Sequence, residues 1–177
     1  NSGASNNTHN VGVGYAAGYE LTTGSENTAV GAYSLYNSTT SANNTALGYY
    51  ALNVNTTGAN NVAVGAYALD ANTTATGNTA VGYRAATATT TGTQITAFGN
   101  ETLRTNTTGA RNVGLGCHAL YSCSTGNDNI AGGHNTLYYL TTGDNNTAYG
   151  NGAGQDVNTG SLNTLIGYEA GFNITSS

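Results

Sequence analysis

The side chains with the most chemical potential cluster late in the chain. Cys117 and His118 are adjacent, and His134 follows 17 residues after Cys117. A thiol and two imidazoles are soft and borderline donors, so this trio could touch one metal ion. Three such side chains on a surface are more often a solvated row, and no metal or other cofactor is expected. Cys123 lies six residues after Cys117. An extracellular disulfide is one reading of the pair. Six residues around a corner need not bring the Cα atoms within the required ~4.4–6.8 Å, however. The other reading makes Cys123 a small core thiol. The segment Gly150-Asn151-Gly152-Ala153-Gly154-Gln155-Asp156 is rich enough in glycine and oxygen donors for a calcium turn, but it occurs once, where such turns repeat. No Ser, His and Asp set recurs, and no carboxylate pair sits in apolar sequence that would tune its pKa. An enzyme is not expected.

The elements that must position these residues follow one period. Gly14, Gly31, Gly48, Gly65, Gly82, Gly99, Gly116, Gly133, Gly150 and Gly167 are spaced by 17 residues without a slip. Positions are numbered here from the residue four before that glycine, so copies start at Asn10, Asn27, Asn44, Asn61, Asn78, Ile95, Asn112, Asn129, Asn146 and Asn163. The consensus is N-T-A-V-G-Y-x-A-L-x-x-N-T-T-G-x-N. Self-similarity at a fixed short period is the mark of a stacked repeat architecture. The whole chain, residues 1–177, reads as one array.

Composition agrees. There are 26 Gly and no Pro, Met or Trp, and charged residues make up 6% against roughly 25% in an ordinary domain. Such a chain cannot fill one broad globular core, whereas stacked coils each bury a few small side chains and satisfy one another's backbone. Asn, Thr and Gly are weak helix formers. Position 2 is Val, Ile or Thr, and position 4 is mostly apolar (Val30, Leu47, Val64, Val81, Phe98, Leu115), which is strand alternation around position 3. A second short strand is expected at positions 8 and 9, where Leu35, Leu52, Leu69, Leu103, Leu120 and Leu137 recur. The expected fold is an all-β parallel solenoid of about ten 17-residue coils. At strand spacing it would be a rod on the order of 50 Å long.

Stacking makes further expectations. Position 12 mixes Leu21, Cys123, Leu140, Val157 and Ile174 with Asn55, Asn72 and Asn106, so it should face inward and carry a stacked amide ladder. Thr at position 14 should form a second ladder. Arg84, Glu101 and His118 share position 7, and Arg111 and Asp128 share position 17, so opposite charges should meet between coils. With positions 2 and 4 inward, position 3 should face outward. Ala29, Ala46, Ala63, Ala80, Ala97, Ala131 and Ala148 would then form a smooth stripe suited to a second copy of the chain. Tyrosine supplies 13 residues against 2 Phe. Tyr33, Tyr50 and Tyr67 share position 7 and are the candidate surface for a glycan or protein, since Tyr offers a rigid apolar face with a polar tip.

The segments Asn27-Thr28-Ala29-Val30-Gly31, Asn61-Val62-Ala63-Val64-Gly65 and Asn78-Thr79-Ala80-Val81-Gly82 resemble the strand motif of trimeric autotransporter adhesin heads, and the Asn-Thr-Ala-Val-Gly repeats of phage tail-fibre proteins. The resemblance covers almost the whole chain. It implies a parallel β-roll, a trimer with the small residue turned to partner chains, and a role in adhesion. The adhesin repeat is shorter than 17 residues, so the coil here must be larger.

The expected role is therefore a structural or adhesive fibre segment, extracellular or on a virion or cell surface. It would pair with itself as a homotrimer or end-to-end filament, and with a host-surface glycan or protein. The alternatives are an ice-binding solenoid, which needs a Thr-x-Thr double row, and a glycan-binding module. A net charge of −5 leaves no basic stripe for nucleic acid, and no apolar run approaches ~18 residues, so membrane insertion is not expected. The sequence reads as a mature product or excised segment. Its first nine residues and last copy carry no charged cap, so both ends are expected to be covered by further sequence or another subunit.

Overall fold

The computed structural model describes residues 9–175; the expectation about the ends falls largely on residues 1–8 and 176–177, outside that range. Ten three-residue strands recur at position 2 to position 4 of each copy: β1 (Val11–Val13), β2 (Thr28–Val30), β3 (Thr45–Leu47), β4 (Val62–Val64), β5 (Thr79–Val81), β6 (Thr96–Phe98), β7 (Val113–Leu115), β8 (Ile130–Gly132), β9 (Thr147–Tyr149) and β10 (Thr164–Ile166). They form one parallel sheet in sequential order, with residue i paired to i+17 throughout, as in Thr45 opposite Val62 and Ala46 opposite Ala63. The chain is an all-β parallel solenoid. No helix among the described residues is long and apolar enough to cross a membrane.

The polarity of the strand is the reverse of the sequence expectation. Ala29, Ala46, Ala63, Ala80, Ala97, Ala131 and Ala148 lie inside the coil at 0–1% exposure. They offer no surface to a partner, and the proposed docking stripe is corrected to a core column. The larger residues at positions 2 and 4 face out: Val13 is 56% exposed, Leu47 40% and Phe98 44%. The physical reason is the narrowness of the coil. Leu at position 9 and the side chains at position 12 fill the interior from the opposite wall, with Leu35, Leu52, Leu69, Leu103, Cys123, Leu140 and Val157 at 0%. Leu165 is admitted where Gly154 and Gly171 stand at position 9; where position 9 carries Leu, only a methyl group fits as the strand crosses that space. Gly114 lacks even this, and a Cβ there would stand 2.5 Å from the Thr102 methyl, which occupies the vacated volume.

Among the described residues the expected second strand is absent. Positions 6 to 11 are turns, because the backbone becomes left-handed at position 7 (Tyr33 φ 59°, Tyr50 φ 57°) and again at position 9 (Leu35 φ 48°, Leu52 φ 50°). Position 17 is left-handed too, at Asn43 and Asn60. Such residues cost roughly 1–2 kcal/mol each. Each also donates its N–H to a neighbouring coil: Tyr33 to Tyr15 O at 2.9 Å, Leu35 to Ala51 O at 3.0 Å, Asn43 to Ser25 O at 3.0 Å. The bends thus convert strain into inter-coil bonds that an isolated coil could not make.

Polar ladders close the remaining wall. Asn at position 1 is buried, and its Oδ1 accepts the backbone N–H of the next Asn, at 3.0 Å from Asn44 to Asn27 and 2.9 Å from Asn61 to Asn44. Its own Nδ2 donates to a carbonyl 14 residues on, as Asn44 does to Gly58 at 2.9 Å. The amide ladder expected at position 12 exists for one pair, Asn72 Nδ2 donating to Asn55 Oδ1 at 2.7 Å, and the inward placement of Asn55, Asn72 and Asn106 holds. The threonine ladder lies at position 13 rather than 14. Thr56 Oγ1 donates to Thr73 O at 3.1 Å, and the N–H groups of Thr56, Thr57 and Gly58 converge on that same oxygen. Position 14, by contrast, is exposed from Thr23 to Thr159.

Candidate functional surfaces

Three surfaces follow from this frame. The first is the outer face of the sheet. No charged residue occupies position 2 or 4 in any copy. Val11, Val13, Leu47, Phe98, Leu115, Ile130, Tyr149 and Ile166 are all more than a third exposed there. An uncharged face of ten strands is larger than the scattered apolar residues of ordinary surfaces. Sequence reasoning missed it because apolar character was equated with burial. The signal was present: Thr replaces Val freely at position 2, as suits a half-exposed pleated surface, whereas position 3 tolerates almost nothing but Ala or Gly.

The second surface is aromatic. Tyr33, Tyr50 and Tyr67 do stack in register, with ring centroids 5.0 Å and 5.7 Å apart. Tyr15, Tyr49 and Tyr83 from position 6 join them edge-on at 5.3 to 6.4 Å. The Arg84 guanidinium, 5.7 Å from the Tyr67 ring centre and 5.2 Å from that of Tyr83, closes the array. The rings run unbroken from the first coil to the fifth. Tyr121 and Tyr138 form a separate stacked pair at 4.8 Å.

The third surface holds the charges and thiol. Glu101 lies 3.9 Å from Arg84, 3.6 Å from Arg104 and 3.5 Å from His118, so the position-7 ladder forms as expected. Arg111 grips Asp128 with two bonds, Nε to Oδ1 at 2.6 Å and Nη2 to Oδ2 at 2.7 Å. The hydrogen bonds from Arg111 hold the Asp128 carboxyl below the usual carboxylate range. Both partners are exposed, so solvent and salt screen the pair and it adds little to stability. The donor atoms of Cys117, His118 and His134 all lie within 4.8 Å of one another.

Cys117 and Cys123 are both free thiols. Cys123 is fully inside the coil, where burial pushes its pKa to about 12, while Cys117 lies in the outer wall. A thiolate is the reactive form. Under native conditions at neutral pH, iodoacetamide is therefore expected to modify Cys117 and leave Cys123 untouched until the chain is denatured. Peptide mass mapping of native and denatured samples checks this, and modification of Cys123 in the folded protein would contradict it.

A shallow depression lined by Ser122, Tyr139, Thr141, Asp156, Asn158 and Thr175 contains one carboxyl and no imidazole or thiol. No family model, curated protein or solved structure matches the chain.

Proposed function

We propose that this chain is a non-enzymatic structural and adhesive segment of an extracellular or virion-surface fibre, and that copies associate side by side through the outer sheet face. The observation that carries the reading is that face: ten strands in unbroken register, without a charge at position 2 or 4. At strand spacing it is about 50 Å long and three residues wide, a footprint on the order of 500 Å². A stable protein interface takes roughly 800 Å² from each partner, so the sheet face would supply the larger part of one. The Asn-Thr-Ala-Val-Gly motif supports the fibre role by resemblance. A second copy, rather than a different protein, suits a surface whose chemistry is as repetitive as the chain itself.

The test is Leu47→Arg combined with Phe98→Arg. Light scattering should show the wild type as an oligomer and the double variant as a monomer, with unchanged circular dichroism because both side chains already face out. A wild type that stays monomeric at high concentration would overturn the reading, and negative-stain images would show whether the oligomer is a rod bundle.

Glycan binding is the second reading, favoured by the continuous tyrosine array; a glycan array distinguishes it. Ice binding is disfavoured. Thr28, Thr45, Thr79, Thr96, Thr147 and Thr164 do form a partly exposed column, but the column beside it runs through Phe98, Leu115, Gly132 and Tyr149, whose unequal heights spoil a flat lattice match.

A further inference from the structure

We propose that Cys117, His118 and His134 form a binding site for a borderline divalent cation of the zinc class. This is independent of the fibre role. Among the described residues they are the one set of three thiol, imidazole or carboxyl groups whose donor atoms converge, all within 4.8 Å of one another. With Zn–S about 2.3 Å and Zn–N about 2.0–2.1 Å, tetrahedral zinc holds its donors about 3.3–3.8 Å apart. Closing the remaining ångström needs only side-chain rotation at partly exposed residues.

The backbone explains the convergence. Cys117 and His134 occupy position 6 of successive coils, so the 17-residue register stacks one above the other. Along an extended chain, Cys117 and His118 would point to opposite faces. The left-handed φ of 57° at His118 turns its side chain to the same side as its neighbour. The Nε2 of His118 faces Glu101 Oε2 at 3.5 Å. A carboxylate beside one ring nitrogen is the usual support for a ligating histidine, which would then use the other nitrogen, Nδ1, for the metal.

A second observation concerns where the repeat changes. In the first four coils, positions 6 and 7 hold only Tyr or Ala: Tyr15-Ala16, Ala32-Tyr33, Tyr49-Tyr50, Ala66-Tyr67. In three successive later coils they become Asn100-Glu101, Cys117-His118 and His134-Asn135. Six side chains able to ligate a metal, or to orient a ligand, thus replace the aromatic column in one patch. The thiolate and two imidazoles supply three ligands, and water would supply the fourth at this open surface. Binding would release the thiol proton.

The experiment titrates the whole chain, under reductant, with Co²⁺ as a spectroscopic stand-in and with Zn²⁺ by calorimetry. The expected result is one ion per chain, with a sulfur-to-cobalt charge-transfer band that Zn²⁺ abolishes. Cys117→Ser should remove the band. His118→Ala and His134→Ala should each weaken zinc binding at least tenfold, and Glu101→Gln should weaken it less, while His9→Ala changes nothing. Zinc should also protect Cys117 from alkylation. All these residues lie on the outer wall, so circular dichroism should be unchanged. Cobalt binding by the wild type without a sulfur band, or zinc affinity that survives both Cys117→Ser and His134→Ala, overturns the proposal. So does the absence of binding above that of the Cys117→Ser, His134→Ala double variant.

Discussion

Gly48→Ala is expected to destabilise the solenoid by about 4 kcal/mol or more, enough to lose the coil on either side. Two causes act together. The φ of +140° at Gly48 is closed to side-chain-bearing residues, and a Cβ would stand 2.6 Å from both the carbonyl carbon and oxygen of Gly65 in the next coil. The neighbouring coil cannot retreat without lengthening every ladder bond around the circuit. Gly167→Ala separates the causes. Its φ is +128°, but the nearest atom to the new methyl is the Ala170 Cβ at 3.9 Å. It should therefore cost only the conformational strain, roughly 1–3 kcal/mol. Urea titrations of the two variants measure the difference; equal losses would show that inter-coil contact at the glycine column is not what keeps it free of side chains.

Ala63→Arg and Ala80→Arg are expected to prevent folding of the coils that carry them. Each places an unpaired guanidinium, with its bulk, in a fully buried column. An uncompensated buried charge alone costs about 3–5 kcal/mol. In a stacked array, stability is a sum over neighbouring interfaces, so a broken coil at position 63 or 80 divides the sheet into two shorter pieces. Circular dichroism and native proteolysis would show a partly unfolded chain. Soluble, fully folded variants with unaltered spectra would mean that the alanine column faces out after all.

Those two experiments touch the point where the sequence was most and least informative. The fold class, the 17-residue register, the inward position 12 and the charge pairs across coils were all legible, because each depends only on which residues recur at one spacing. The facing of the strand was not. Alternation of Thr or Val with Ala and Val defines two faces, but does not say which is inside; that is set by the width of the interior, which Leu at position 9 and the residues at position 12 fill. The turns were obscured for a related reason. Tyr33 and Leu35 carry no sequence mark of a left-handed backbone, and their conformation is held by bonds to other coils. The metal-capable trio was visible as a list of residues, and the left-handed turn at His118 was the missing fact that brings its side chain beside Cys117.

The parallel ladder has a mechanical consequence. The strands run across the long axis of the rod, and each coil touches only the coils before and after it. Tension applied along the axis at the two termini would load the bonds of the end coils first, opening them in succession like a zipper rather than shearing the whole sheet at once. Each coil that peels away frees 17 residues, about 60 Å of extended chain, from a layer only about 5 Å thick. A tether of such coils would lengthen by more than tenfold per yielded layer and recover as the register re-forms. Under load it would behave as a reel of extensible slack rather than as a stiff strut.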